Sequence, residues 1–272
     1  MTDSLPSGLP APRPPVDLRL DRPTPARMYD HFLGGKDNFA VDREAAERVK
    51  QAIPNTYEIV WENQFFLQRA VRYLAEAGVD QYLDLGTGLP TQGNVHEIAR
   101  EIIPDARVVY VDNDPMVLAH SRALKTGKGT AVIQADLRDP ATILGHPDTR
   151  RLIDFSQPLA ILFVAVLHFI ADADARAAVA AFTGAAAPGS YLVLSHVTGD
   201  PEPRAAAVGT AAYAGTASPI TLRTRDQILA LFAGLQILEP GLVPVPRWRP
   251  DEPDPADPGK AWILGGIARK PA

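Results

Sequence analysis

The spacing of apolar residues changes character at residue 81. Before it the period is helical. Val41, Ala45, Val49 and Ala52 fall on one face of a helix predicted over about Val41 to Ala52, which Pro54 stops. A second helix is predicted from about Tyr57 to Ala77, with Gly78 as its stop. Its apolar stripe holds Val60, Leu67, Ala70, Val71 and Leu74, and Asn63 interrupts that stripe. A polar residue on an inward face needs a partner, either a backbone group or a ligand. After residue 81 short apolar runs alternate with helical stretches. Strands are predicted at Tyr82 to Leu85, Arg107 to Val111, Thr130 to Gln134, Leu159 to Val166 and Tyr191 to Ser195. Val95, Ile98, Ala99 and Ile102 mark the first intervening helix, Asp114-Pro115 opens the second with a cap and a proline, and Asp172 to about Ala187 forms another. A loop with a short helix covers Pro140 to Ile153, and Arg225 to Phe232 is a further short helix. Leu235 to Val245 and Ala261 to Ala268 read as a terminal pair of strands. Residues 196 to 219, rich in Ala, Gly, Thr and Pro, read as loop, as does the Pro- and Asp-rich stretch from Pro246 to Lys260.

Alternation of this kind predicts an α/β fold with right-handed crossovers and a mostly parallel, three-layer sheet. Two regions fall outside it. Residues 1–24 lack apolar periodicity and are expected to be a mobile, disordered tail. Residues 25–78 form an N-terminal helical arm or lid, leaving 79–272 as the main domain. Within the arm, residues 30 to 39 fit neither period, and Gly34-Gly35 breaks them.

Composition narrows the partners. The chain has 272 residues, 46% hydrophobic, and a net charge of −5, with basic residues scattered along it. Duplex nucleic acid, which needs many phosphate contacts, is not an expected partner. There is no cysteine, so disulfides and thiolate chemistry are excluded. The longest apolar run, Leu159 to Leu167, is too short to span a bilayer, and Met1 to Pro15 has no apolar signal core. A cytoplasmic protein that does not enter membranes is the expectation.

The candidate chemistry centres on Asp84-Leu85-Gly86-Thr87-Gly88, where a buried strand breaks into a tight turn. Glycines permit positive φ and close approach of backbone to a ligand, and the helix start behind the turn adds free N–H groups. Asp84, Asp112, Asp136, His168 and His196 each stand at or just past a strand's C-terminal end, the rim where such sheets bind ligands. Thr91 occupies the third glycine position of the dinucleotide pattern, and no phosphate-loop sequence is present. Asp84 would repel a pyrophosphate but suits an ammonium or sulfonium. Asp112 matches the acid that holds ribose hydroxyls, and Asp136 can accept from the exocyclic amine of adenine. Ribose, adenine and positive charge without pyrophosphate describe S-adenosyl-L-methionine.

These residues also carry a resemblance. The stretches A-R-M-Y-D-H-F-L-G-G-K-D-N-F (26–39), L-D-L-G-T-G-L-P-T-Q-G-N-V-H-E (83–97) and V-Y-V-D-N-D-P (109–115) resemble an actinobacterial family called S-adenosyl methyltransferase, within the class I S-adenosylmethionine-dependent methyltransferases. The endings P-G-L-V-P-V-P-R-W-R-P and G-G-I-A-R-K-P are similar too, so the likeness covers essentially all of the chain past residue 25. It implies a Rossmann-like, seven-stranded sheet with a reversed last strand, this cofactor and methyl transfer, but no particular acceptor. Gln64, after Glu62-Asn63, departs from the basic residue expected there in relatives.

The cofactor residues are then expected to be Asp84, Gly86, Thr87, Gly88, Asp112, Asn113, Asp136 and Leu137, with Tyr29 and Asn63 from the arm. Several have a structural alternative: a turn alone for the glycines, a helix cap for Asp112, although Asp114 already serves as one, and a turn cap at Leu137-Arg138 for Asp136. His168, after the central strand, is the candidate catalytic base, with packing as its alternative, and His196 has a lesser claim. Residues 26–39 are expected to fold over the cofactor and bring Tyr29, Lys36 or Asn38 near its methionine end, and His31 belongs to that stretch. His96 and Glu97 are expected to face solvent. No metal-ligand spacing appears. The reading is a methyltransferase for a small-molecule acceptor, whose pocket and lid come from the two N-terminal helices and residues 196 to 219. A non-catalytic cofactor-binding sensor or scaffold is the alternative. An NAD-linked oxidoreductase is opposed by Thr91 and Asp84.

Overall fold

In the computed structural model, residues 20–90, 93–124, 127–211, 213–214, 216, 218–251 and 262–272 are described. Most of the expected tail, Thr91, and much of the 246–260 connection lie outside them. Among the described residues no helix is long and apolar enough to cross a membrane.

Three helices precede the sheet: α1 (Pro25–Phe32), α2 (Ala40–Ala52) and α3 (Thr56–Glu76). The sheet then builds through β1 (Gln81–Leu85), α4 (Val95–Ile102), β2 (Arg107–Asp112), α5 (Pro115–Leu124), β3 (Thr130–Gln134), α6 (Pro140–Gly145), α7 (Pro147–Leu152) and β4 (Ala160–Val164). It closes with α8 (Asp172–Ala185), β5 (Tyr191–Val197), α9 (Pro203–Ala211), α10 (Arg225–Leu229), β6 (Gln236–Ile237), β7 (Val243–Pro244) and β8 (Ile263–Arg269). Strand order is β3-β2-β1-β4-β5-β8-β6, and β7 also pairs with β8. Pairs among β1 to β5 are parallel, while β8 runs antiparallel to β5, β6 and β7. The mostly parallel sheet with a reversed last strand is therefore as expected. What the pattern reads as one strand over Leu235–Val245 is two short pieces on the same edge of β8, separated by a turn through Gly241 (φ 90°).

Both faces of the sheet are covered. Leu83, Leu85, Val109 and Val111 point to α6, α7 and α8, where Ile143, Leu152 and Phe182 are buried. Tyr82, Val108 and Tyr110 point to α3 and α4, against Phe66, Leu74 and Ile98. The alternation along β1 and β2 thus divides the core into two layers. On the second face Arg69 donates to the carbonyls of Val245 (2.7 Å) and Trp248 (3.0 Å), tying α3 to the chain after β7.

Two segments differ from the expectation. Residues 25–32 are helical: Thr24 is the N-cap and Pro25 opens the helix, so Met28 and Phe32 reach a small core with Ala45, Val49 and Val60. Within 196–219, residues 203–211 form α9, which packs on α2. Alanine favours helix but leaves no large apolar stripe for periodicity to register. The arm is fastened by one carboxylate. Asp42 accepts from the amides of Thr24 (3.0 Å) and Phe39 (2.9 Å) and from Arg27 Nε (2.8 Å), with both ion-pair side chains fully buried.

Candidate active site

The ends of β1 to β4 and the arm enclose a cavity of about 260 Å³. At its centre the β1–α4 turn is set by two glycines with positive φ, Gly86 at 79° and Gly88 at 63°. A Cβ on Gly86 would lie 2.2 Å from Val166 Cγ2, whereas one on Gly88 would meet nothing within 4 Å. The first glycine allows close packing; the second leaves space for something else. Asn94 and Glu97 then cap α4 reciprocally, so Glu97 has a capping role as well as an exposed position.

Asp112, ending β2, accepts from the amides of Gly88 (2.9 Å) and Asp114 (2.9 Å). Asp114 in turn caps α5 through the Met116 amide (2.9 Å), as expected. Asp112 therefore locks the turn to the neighbouring strand while lining the cavity. Asp84, Thr87, Asn113 and Leu137 line it as well. Asp136 lines it too, but its carboxylate accepts from the Arg138 amide (2.9 Å) and, at 2.5–3.0 Å, from the guanidinium. That is the turn-capping alternative, and Arg138 holds the Asp136 pKa below the usual carboxylate range.

From the arm, Tyr29 and Asn63 face the same cavity. Tyr29 Oη donates to the Val60 carbonyl (3.3 Å) and accepts from Asn63 Nδ2 (2.9 Å), while Asn63 Oδ1 accepts from Ser195 Oγ (2.6 Å). Ser195 Oγ also accepts from the Ala165 amide (3.0 Å). A hydrogen-bonded chain thus runs from α1 through α3 to β5 and the end of β4. Burial pushes the Tyr29 pKa up to about 12, against a lowering effect from Asn63. Ala165 itself is a non-glycine residue at φ 53°, a conformation costing about 1–2 kcal/mol that the bonds to Ser195 hold in place. Lys36 is exposed, Asn38 is bonded to Asp30 (2.8 Å), and His31 contacts Tyr57 (3.1 Å); none of the three is among the lining residues. His96 does not simply face solvent, because its amide and Nδ1 meet Tyr110 Oη at 2.9 and 2.7 Å.

His168 is 4% exposed, lines the cavity, and has no partner for Nδ1 among the described residues. Its loop is pinned by Arg223, which donates to the carbonyls of Leu167 and Ile170 and to Asp172 (all 2.8 Å). Arg223 also bonds His196 Nε2 (2.6 Å), whose Nδ1 sits 2.6 Å from the Val197 carbonyl. His196 is consequently a neutral packing residue with both nitrogens occupied. Burial lowers its pKa to about 4; burial, then His196 and Arg223, lower that of His168 well below the ordinary value. An unfolded histidine titrates near 6.5. Below that pH the unfolded chain binds protons the folded chain refuses, so stability is full above 6.5 and declines as pH falls. Each such histidine contributes about 1.4 kcal/mol per pH unit. His168→Phe should flatten the fall in melting temperature between pH 6.5 and 4.5; an unchanged slope would contradict a buried neutral His168.

Lining residues not singled out from sequence include Ile53, Val166, Phe169, Tyr213 and Trp262. Their apolar character signals core, and only the fold places them around a cavity. Among the described residues no group of three or more His, Asp or Glu side chains stands ready to hold a metal.

The model of one protein family, described as S-adenosyl methyltransferase, matches residues 12–271. The chain belongs to the S-adenosyl methyltransferase family. It is a methyltransferase that uses S-adenosyl-L-methionine, which favours an enzyme over a non-catalytic scaffold. Two solved structures are similar over nearly the whole methyltransferase chain. One is a candidate methyltransferase from Thermobifida fusca, 46% identical, covering 96% of this chain and 100% of that one at a TM-score of 0.89. The other is a DUF574 family protein from Streptomyces avermitilis, 38% identical, covering 94% and 100% at 0.90. The magnesium protoporphyrin IX methyltransferase of Synechocystis, 14% identical, covers 89% of this chain and 92% of its own at 0.52, a likeness of fold alone. No curated protein matches.

Proposed function

We propose that this methyltransferase acts on a small-molecule acceptor, and that one cavity holds both substrates. The observation that carries the reading is the continuity of that cavity, from the acids and glycines at the ends of β1 to β3 to the apolar wall beside β4, β5 and α9. The residues fit the cofactor. Gly88 leaves open space where a side chain would intrude, and Asp112 is fixed at the rim by two amides. In this reading Gly86 to Gly88 and Asp84 hold the methionine part, with Tyr29 and Asn63 beside them. Asp112 and Asn113 hold the ribose, and Leu137 and Asp136 flank the adenine. With Asp136 engaged by Arg138, the Leu137 backbone carries more of the adenine contact.

Bound S-adenosylmethionine supplies a methyl group already activated on a sulfonium. The protein's task is then alignment and exclusion of water. His168 is neutral at pH 7, so its ring offers one free lone pair to a proton on the acceptor. The scattered basic residues and net charge of −5 favour a small acceptor over nucleic acid. A chain without cysteine needs no oxidising compartment, which supports a cytoplasmic setting.

Calorimetry with S-adenosylhomocysteine against NAD tests the reading: tight binding of the former alone is expected, and the reverse sinks it. Asp112→Ala removes a charged acceptor of two hydroxyl hydrogen bonds and loosens the Gly88 amide. Its affinity for S-adenosylhomocysteine should fall about 10- to 100-fold, as lost charge-assisted bonds imply. Unchanged affinity would remove the ribose assignment.

A further inference from the structure

The acceptor side of the cavity has a distinctive chemistry. Its wall includes Ile53, Val60, Phe169, Tyr213, Ile220 and Leu222, drawn from the arm, the loop after β4 and the segment around α9. Phe169 and Tyr213 stand with ring centroids 5.9 Å apart, tilted by 45°, and present aromatic surface together. Among the described residues no lysine or arginine lines any part of the cavity. Among the lining residues the one carboxylate away from the ends of β1 to β3 and the turns that follow them is Asp30, and it is occupied by the Asp37 amide (2.9 Å) and Asn38 (2.8 Å). Burial, ahead of those bonds, raises its pKa.

An anion entering here would be desolvated without a cation to meet it, and would face carboxylates across the cavity. Burying an unpaired charge costs several kcal/mol. A cationic acceptor fares little better, since Asp30 is already bonded and the remaining acids lie on the cofactor side. The polar partner on the β4 side is His168, buried and neutral. A neutral imidazole accepts one hydrogen bond, and a single hydroxyl complements it.

We propose that the acceptor is an uncharged, largely apolar ring compound carrying a hydroxyl, seated between Phe169–Tyr213 and the arm with its hydroxyl toward His168. This rests on the methyl-transfer reading above, because it names the second substrate of the same cavity. It excludes carboxylates, phosphorylated metabolites and primary amines as preferred acceptors.

The test is binding, not turnover. The intact chain is first titrated with S-adenosylhomocysteine, then, in its presence, with 2-naphthol, 2-naphthoate and 2-naphthylmethylammonium as matched neutral, anionic and cationic probes. 2-Naphthol should bind at least about tenfold more tightly than either charged probe. Ile220→Lys, which places a cation in the wall, should raise naphthoate affinity about tenfold or more. His168→Phe should weaken 2-naphthol about fivefold while leaving naphthalene unchanged. If S-adenosylhomocysteine fails to bind, the methyl-transfer reading falls and this proposal with it. If it binds and either charged probe equals or exceeds 2-naphthol, or no probe binds at all, this proposal alone is overturned.

Discussion

Asp42→Ala should lower the unfolding free energy by about 3–5 kcal/mol, the usual result of removing one member of a buried ion pair. The carboxylate is fully buried and satisfies the amides of Thr24 and Phe39 together with the Arg27 guanidinium. Its loss removes the carboxylate that neutralises the buried Arg27, whose Nη2 also donates to the Arg22 carbonyl, and frees two backbone donors that flank α1 and open α2. Urea unfolding followed by circular dichroism reads the effect, and a change under 1 kcal/mol would contradict it. The double variant Arg27→Met/Asp42→Leu separates charge from packing. It should recover much of the loss, because an apolar pair of similar volume leaves no stranded charge.

Gly86→Ala should be nearly as damaging for a different reason. The residue sits at φ 79°, and the added Cβ would lie 2.2 Å from Val166 Cγ2 and 2.7 Å from its Cβ. Backbone strain of about 1–2 kcal/mol adds to the cost of displacing Val166, so a total near 3 kcal/mol is expected. Gly88→Ala is the control. It has positive φ as well, 63°, but no neighbour within 4 Å of the new methyl. It should cost only about 1 kcal/mol of stability while reducing S-adenosylhomocysteine affinity, since its methyl projects into open space beside the cavity. Thermal melts and calorimetry on both variants decide the matter. Equal destabilisation would mean that Val166 yields freely and the close packing at Gly86 has no consequence.

The sheet was legible in the sequence because its strands carry their own signals. Apolar runs from β1 to β5 end in acids, serine or histidine, and helical stripes fill the gaps between most of them. The glycines and acids of the proposed cofactor side were legible for the same reason: at strand ends they declare themselves one element at a time. Elsewhere the signal was absent or was overridden by packing. Helix α9 has alanines where a stripe would need larger residues, and α1 is too short for a period to repeat. Asp136 has the same local appearance whether it faces a ligand or Arg138, and only the folded geometry shows the guanidinium engaged. Ser195 could not have been picked out, because its importance lies in partners on α3 and beyond β4. The aromatic wall was invisible for a simpler reason. Phe169, Tyr213 and Trp262 come from distant parts of the chain, and nothing in their spacing announces a shared cavity.

The lining of the cavity is divided along the chain as well as in space. Every lining residue at the ends of β1, β2 and β3 falls between positions 84 and 137, while the rest comes from 25–67 and 164–263. On the proposed assignment, most of donor recognition is written in one continuous passage, joined by Tyr29 and Asn63 from the arm, and acceptor recognition in the flanking ones. Substitutions around α9, or in the arm away from Tyr29 and Asn63, can therefore retune what is methylated without disturbing the source of the methyl group. Such a layout lets a lineage diversify its chemistry one side at a time.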